Sequence, residues 1–304
     1  MPPINAVLRL LRDHRIVSKP DTKHQAQEVA RFSNRFLHRI SGNVDWEHTM
    51  QGARMSVSVV VRCATREKLF QGVLDRLLHQ TVVPSEILIV MDSWSQEEVR
   101  YVSRRLERYS NCRLITFKHE EFSHPFSANL GISYSKEELV CIINGHALPI
   151  SLRWLEVGLK HFEDENVAGV GGFFYPLAEG FARRLFNLVE VQMKRINWIS
   201  TINCIIRKSR WEEYPFDEDL LEIIPETRKL GGEDYDWTLE MLSRGYKILL
   251  DPDFSVIHAH REDIVLEILR NLRSYFIYKR LQEKIKRLER PRESSRFFWQ
   301  NQAA

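Results

Sequence analysis

Ser56-Val57-Ser58-Val59-Val60-Val61-Arg62 is a short run dominated by valine. Side chains branched at Cβ suit a pleated backbone, and a strand apolar on both faces has to be covered on both. The run therefore reads as a buried strand, and what surrounds it decides the fold. Cys63 to Lys68 is polar and reads as a loop. Leu69 to Gln80 reads as a helix, with Leu74, Leu77 and Leu78 on its apolar side, and Pro84-Ser85 turns the chain. Glu86-Ile87-Leu88-Ile89-Val90-Met91 is a second strand, ending at Asp92-Ser93. Gln96 to Tyr109 reads as a helix and Arg113 to Phe117 as a third strand. Strand, helix, strand, helix, strand at this spacing predicts an α/β fold with a parallel sheet and helices on both faces. Ligands in such sheets sit beyond the carboxyl ends of the strands, where Arg62 and Asp92 stand. A carboxylate at Asp92 suits a ribose or a base edge, although turn formation alone would also place an aspartate there.

Further along, Phe122 to Ile132 leads aromatic and small residues into a helix that carries Asn129 and Gly131. Leu139-Val140-Cys141-Ile142-Ile143 is a fourth strand, ending at Asn144-Gly145-His146-Ala147-Leu148-Pro149. Val167 to Phe173 is a strand of small residues, Phe181 to Val191 a helix or loop, and Asn203 to Arg207 another strand. Pro215 to Leu220 forms an acidic turn. Two glycines in Gly231-Gly232-Glu233-Asp234-Tyr235-Asp236-Trp237 permit a tight entry into a short helix that stops at Arg244-Gly245. The positive end of a helix keeps carboxylates ionised, which suits Asp234 as a general base. Strands over Tyr246 to Leu250 and Phe254 to Ile257 then run into His258-Ala259-His260, and imidazoles suit a divalent metal. Each feature also has a plainer reading. Acidic residues cap many helices, and a His-x-His by itself is a weak metal signal.

The chain has 304 residues, 43% hydrophobic and 28% charged, with a formal net charge of +3. That is ordinary globular composition with too little positive charge to imply nucleic acid. Cys63, Cys112, Cys141 and Cys204 are widely spaced and read as reduced thiols of a cytosolic protein. No apolar run approaches the roughly 20 residues of a membrane helix. Residues 1–54 read as a helical extension, with Val7, Leu8, Leu10 and Leu11 in one amphipathic piece and Val29, Phe32, Phe36, Leu37 and Ile40 in another. Residues 55–262 hold the organised domain. Residues 263–304 read as a basic amphipathic helical extension. Its Leu266 to Phe276 part suits packing on the domain, and its Lys/Arg-rich remainder suits peripheral contact with an anionic membrane or a partner. Phe297-Phe298-Trp299 adds an aromatic patch.

The order of these signals resembles that of an inverting family 2 glycosyltransferase with the GT-A fold, over about residues 55–260. The signals are Val61-Arg62, Met91-Asp92-Ser93, the Asn129-x-Gly131 segment, the strand ending at Asn144, the Asn203 to Arg207 strand, the Pro215-Phe216-Asp217-Glu218 turn, Gly232-Glu233-Asp234 and the late His258. Asn144-Gly145-His146-Ala147-Leu148-Pro149 resembles the loop of rhamnosyltransferase-like members. The resemblance implies a nucleotide-diphosphate sugar donor, UDP-, dTDP- or GDP-linked, and a glycan or lipid-linked acceptor at the inner face of a membrane. It implies nucleotide or donor contacts from Arg62, Asp92, Asn129, Asn144, Gly145 and His146, acceptor contact from Glu233, and a catalytic base in Asp234. The family's usual Asp-x-Asp metal loop is replaced by Asn144-Gly145-His146. His146 then either joins His258 and His260 around a metal, Mn²⁺ ahead of Mg²⁺, or hydrogen-bonds the diphosphate without one. Two other functions compete. One is a non-catalytic nucleotide-sugar binder of the same fold, and the other a metal-dependent hydrolase built on the histidines and Asp234.

Overall fold

The computed structural model describes residues 55–64, 70–93, 95–118, 123–175, 198–225, 227, 231–258, 276–281 and 283. Backbone contacts divide the chain into two compact units. One comprises residues 54–260 with 270–304, and every described residue belongs to it. The other, residues 1–53 with 261–269, lies outside the described residues, as do the expected elements at 181–191 and 297–299 and His260.

The valine run forms strand β1 (Val57–Ala64), and the alternation expected there is read out on two faces. Val57, Val59 and Val61 point into one apolar layer and Val60 into the other, all fully buried. In chain order there follow α1 (Phe70–Leu78), β2 (Glu86–Asp92), α2 (Gln96–Leu106), β3 (Cys112–Phe117), α3 (His124–Tyr134), β4 (Leu139–Asn144), β5 (Ala147–Pro149), α4 (Trp154–Leu159), β6 (Val167–Gly171), β7 (Phe174–Tyr175), β8 (Asn203–Arg207), α5 (Lys208–Glu213), α6 (Leu220–Ile223), α7 (Glu233–Ser243), β9 (Lys247–Leu250) and β10 (Val256–His258). The main sheet has seven strands in the order β3-β2-β1-β4-β8-β6-β9. It is parallel except at β8, which runs antiparallel to both β4 and β6. A second sheet, β5-β10-β7, has three strands.

Helices cover both faces. Phe70, Val73, Leu74 and Leu77 of α1, Val102 and Leu106 of α2, and Trp154 and Leu155 of α4 fill one layer. Ala128 and Ile132 of α3, Trp211 of α5, and Trp237 and Met241 of α7 fill the other. Each large apolar side chain so buried contributes roughly 1.5–3 kcal/mol against conformational entropy. Gly131 sets how closely α3 lies on the sheet, since a Cβ there would fall 2.2 Å from Val60 Cγ1. Ser95 and Ser123 cap α2 and α3 by accepting from the backbone N–H groups of Glu98 and Phe126. The four cysteines are free thiols, and Cys63, Cys141 and Cys204 are buried.

A third apolar cluster forms under the start of α7, where Trp198, Leu220, Ile224 and Tyr235 meet Ile277 and Leu281 of the helical residues 276–281. Ile277 and Leu281 therefore pack on the domain past the exposed Phe276, within the stretch whose basic residues suggested a membrane or partner contact. No described helix is long and apolar enough to cross a membrane.

Candidate active site

Arg62 near the end of β1, Asp92 at the end of β2 and Asn144 at the end of β4 stand together along the carboxyl edge of the sheet, paired in register as Arg62 with Asn144 and Ala64 with Asp92. Asp92 is half-buried there. The loop after β4 folds back at once, with the Gly145 N–H donating to the Arg62 carbonyl at 2.7 Å.

Arg62 turns inward. Its guanidinium donates to Asn144 Oδ1 (2.8 Å), the Thr201 carbonyl (2.7 Å), Thr201 Oγ1 (2.9 Å) and the His124 carbonyl (3.1 Å). A guanidinium presents fixed donors, so these acceptors hold β1, α3, β4 and the turn before β8 in one arrangement. Only 3% of Arg62 is exposed, and its hydrogen bonds run to protein acceptors at the carboxyl edge of the sheet.

Thr201 carries the network onward. Its N–H donates to Asp234 Oδ2 (3.0 Å) and its hydroxyl to Glu233 Oε1 (3.1 Å). The other Asp234 oxygen accepts from the Tyr235 N–H (2.8 Å), and Glu233 Oε2 from the Gly232 N–H (2.9 Å). Gly231 and Gly232 adopt φ of 74° and 127°, left-handed values that L side chains avoid. That backbone lets Glu233 fold back on the chain just before α7.

Glu233 is 2% exposed, its oxygens accepting from Thr201 and Gly232, so it braces the helix start. Asp234 is 9% exposed. Burial, and then the neighbouring Glu233 carboxylate, push its pKa up to about 7, against the hydrogen bonds from Thr201 and Tyr235 and the charge of Arg62. The helix start was expected to keep this carboxylate ionised. Desolvation and a like charge outweigh the dipole, leaving a carboxyl that accepts a proton near neutrality.

Beside this network lie the histidines. Pairing of β10 with β5 sets His258 opposite Ala147 and so next to His146. The two imidazole rings stack with centroids 4.5 Å apart and planes 31° apart, and Phe174 meets His258 edge-on at 6.1 Å. His124 at the start of α3 is held neutral, its pKa lowered to about 3 by burial and by the charges of Arg62 and His146. Two adjacent imidazoles can offer two nitrogens to one cation. Among the described residues no group of three or more His, Cys, Asp or Glu side chains gathers as a metal site, so further ligands would come from substrate oxygens or water.

Asn129 lies elsewhere in the network. Its amide donates to the Phe216 carbonyl (2.8 Å) and Glu218 Oε1 (2.7 Å) and accepts from Trp211 Nε1 (2.8 Å). With 2% exposure it ties α3 to the Pro215-Phe216 turn. Sequence reasoning missed Thr201 and His124 as site residues. A lone threonine in Ile199-Ser200-Thr201-Ile202 carries no motif, and only the fold brings it to Arg62 and Asp234.

Residues 58–207 match the family model described as Glycosyl transferase family 2. Among solved structures, the fold is similar to that of the Mannosyltransferase PcManGT from Pyrobaculum calidifontis in complex with GDP-Man and Mn²⁺, with a TM-score of 0.60 and 16% identity over 89% of this chain and 75% of that one. It is also similar to glucosyl-3-phosphoglycerate synthase from Mycobacterium tuberculosis in complex with Mn²⁺, uridine-diphosphate and phosphoglyceric acid, with a TM-score of 0.51 and 12% identity over 75% and 78%. At such identities the likeness establishes the GT-A fold. No curated protein matches the chain in sequence.

Proposed function

We propose that this chain, which carries a glycosyltransferase family 2 domain over residues 58–207, transfers a sugar from a nucleotide-diphosphate donor to an acceptor hydroxyl with inversion at the anomeric carbon. The observation that carries the reading is Asp234, buried at a glycine-led helix start beside the carboxyl edge of the sheet and raised in pKa to about 7. A base matched to ambient pH both holds its deprotonated form and draws a proton effectively. Asp234 takes the proton of the acceptor hydroxyl as that oxygen bonds to the anomeric carbon. The bond to the diphosphate breaks on the opposite face and its electron pair leaves with the diphosphate. Thr201 and Tyr235 orient the carboxylate through their N–H groups, and burial, then Glu233, raises its proton affinity. Asp92, half-buried at the end of β2, contacts the nucleoside.

A divalent cation held by His146 and His258 would offset the charge gained by the leaving diphosphate. The stacked imidazole pair fits Mn²⁺ better than Mg²⁺, which prefers oxygen, and the two solved relatives are themselves complexes with Mn²⁺. The hydrolase alternative requires Asp234 to share a metal with the histidines, and the carboxylate's hydrogen bonds run instead to Thr201 and Tyr235.

The test is a melting-temperature panel with UDP, dTDP and GDP, each with and without Mn²⁺, followed by transfer assays with the stabilising nucleotide's sugars. A ligand that binds only the folded state raises the midpoint. Expected is stabilisation by one nucleotide, enhanced by Mn²⁺, and a product of inverted configuration by NMR. No response to any nucleotide overturns the reading, and a product of retained configuration overturns the mechanism.

A further inference from the structure

Helix α2 and the turn after it carry four arginines, Arg100, Arg104, Arg105 and Arg108, toward a cleft of about 630 Å³ whose other wall includes Gln71 of α1. Arg100, Arg104 and Arg108 recur every fourth residue, one turn apart in a single row, where like charges destabilise a helix. Elsewhere arginines meet carboxylates: Arg113 with Glu86, Arg153 with Glu156, Arg210 with Glu213 and Arg244 with Glu240. Among the described residues none of the four α2 arginines has an ion pair, and Glu97 is the single carboxylate lining the cleft. Part of the row is already fixed. Arg105 donates to Gln71 Oε1 and stacks over the Tyr101 ring at 4.5 Å, and the Arg100 Nε–H donates to the Gln96 carbonyl. The phenols of Tyr101 and Tyr109 border the same space and can donate further hydrogen bonds.

We infer that the cleft between α1 and α2 binds clustered phosphate groups, on a ligand separate from the sugar donor. Guanidinium forks match phosphate oxygens in pairs, and several on one helix suit two or more phosphates better than one. Separation from the candidate active site follows from the topology. Helix α2 starts after Asp92 at the carboxyl end of β2 and returns to Cys112, where the parallel β3 begins, so Arg104, Arg105 and Arg108 lie toward the amino edge of the sheet. The cleft's volume admits a compact diphosphate or a phosphorylated sugar, and adjacent lipid headgroups would offer the same chemistry from a surface.

The experiment uses the full chain and an Arg104→Gln/Arg108→Gln variant, which changes two exposed side chains that make no hydrogen bond or ion pair among the described residues. Inorganic pyrophosphate and orthophosphate are titrated calorimetrically into both proteins, so that binding the two share is assigned to a nucleotide pocket and only the part lost in the variant to the cleft. The variant keeps the test independent of the donor reading. If no nucleotide binds, the glycosyltransferase reading fails alone, and a pyrophosphate affinity that depends on the two arginines still stands. Expected is pyrophosphate binding that weakens with salt, exceeds orthophosphate affinity, and falls about ten-fold or more in the variant. In a second arm, both proteins are sedimented with phosphatidylglycerol or phosphatidylcholine vesicles. Association of wild type alone, and with phosphatidylglycerol alone, upholds the phosphate site and identifies its source as a headgroup. Equal behaviour of the two proteins in both arms, whether both bind or neither does, overturns the inference.

Discussion

Replacing Asp234 by asparagine should raise stability at alkaline pH, lower it at acid pH, and remove transfer. In the wild-type protein burial and Glu233 lift the carboxyl from its ordinary 3.8 to about 7. A raised pKa means that the folded state keeps the proton longer than the unfolded chain. The associated stability is complete below about pH 4 and is lost as pH climbs through about 7. Roughly three units at about 1.4 kcal/mol each bound the effect at about 4 kcal/mol. Asparagine carries no charge to desolvate, so it escapes this loss. It supplies one acceptor oxygen where Asp234 supplies two, to the N–H groups of Thr201 and Tyr235. Leaving one of them opposite an amide NH₂ costs about 1–3 kcal/mol at every pH. The variant should therefore be about 1–3 kcal/mol less stable at about pH 3, where the wild-type carboxyl is protonated in both states, and about 1–3 kcal/mol more stable at pH 8. Urea unfolding followed by tryptophan fluorescence reads this directly, since Trp198, Trp211 and Trp237 are buried beside or near α7. Transfer should fall about 10²–10⁴-fold, the usual contribution of a general base. A stability difference independent of pH would refute the raised carboxyl, and wild-type turnover in the variant would remove Asp234 from the chemistry.

For the wild-type enzyme, kcat/KM should rise with pH and level off above about 7 as Asp234 loses its proton, and an acid limb near pH 4 would contradict the burial argument. Thr201→Val keeps the shape but deletes the hydroxyl between Arg62 and Glu233, so kcat should drop about ten-fold with nucleotide affinity unchanged and recover in Thr201→Ser. Equal rates for the valine and serine variants would deny the hydroxyl a role. Gly232→Ala places a Cβ at φ 127°, with Ile277 Cγ2 at 3.3 Å, and should cost about 1–3 kcal/mol in urea unfolding; an unchanged midpoint would refute the strain. His146→Ala and His258→Ala should each weaken Mn²⁺ binding, read by electron paramagnetic resonance, about 10–100-fold, and unaltered binding would exclude the imidazole pair as ligands.

The first half of the fold is written in local pattern. Each strand from β1 to β4 is a short apolar run, and each intervening helix has its own apolar spacing, so Val57–Ala64, Glu86–Asp92 and Leu139–Asn144 were legible within a residue or two. The direction of β8 was not. Asn203–Arg207 looks the same in sequence whichever way it runs, and its antiparallel place between β4 and β6 is set by tertiary pairing. Ala147–Pro149 was read as the tail of a loop because three residues carry no period. Its partner β10 supplies the reason it is extended, and that pairing brings His146 to His258.

The site was legible to the extent that its residues sit at the ends of elements. Asp92, Asn144, Glu233 and Asp234 mark strand and helix termini, where sequence already points to a ligand edge. What the termini could not convey is the sign of the electrostatics. A helix start argues for an ionised carboxylate, and for an exposed one that argument would hold. Asp234 instead sits beneath the chain with Glu233 beside it, and charge solvation lost to burial exceeds what two N–H groups and a distant guanidinium return. The same distinction bears on Arg62 and Asn129. Both are polar residues in the expected places, but burial turned their hydrogen bonds toward protein, to Asn144, Thr201 and His124 in one case and to Phe216, Glu218 and Trp211 in the other. Their consequence for chemistry is indirect yet specific. Arg62 holds Thr201, Thr201 holds the carboxylates of Glu233 and Asp234, and the proposed base is therefore positioned from the end of the first strand, the valine run from which the whole sheet is built.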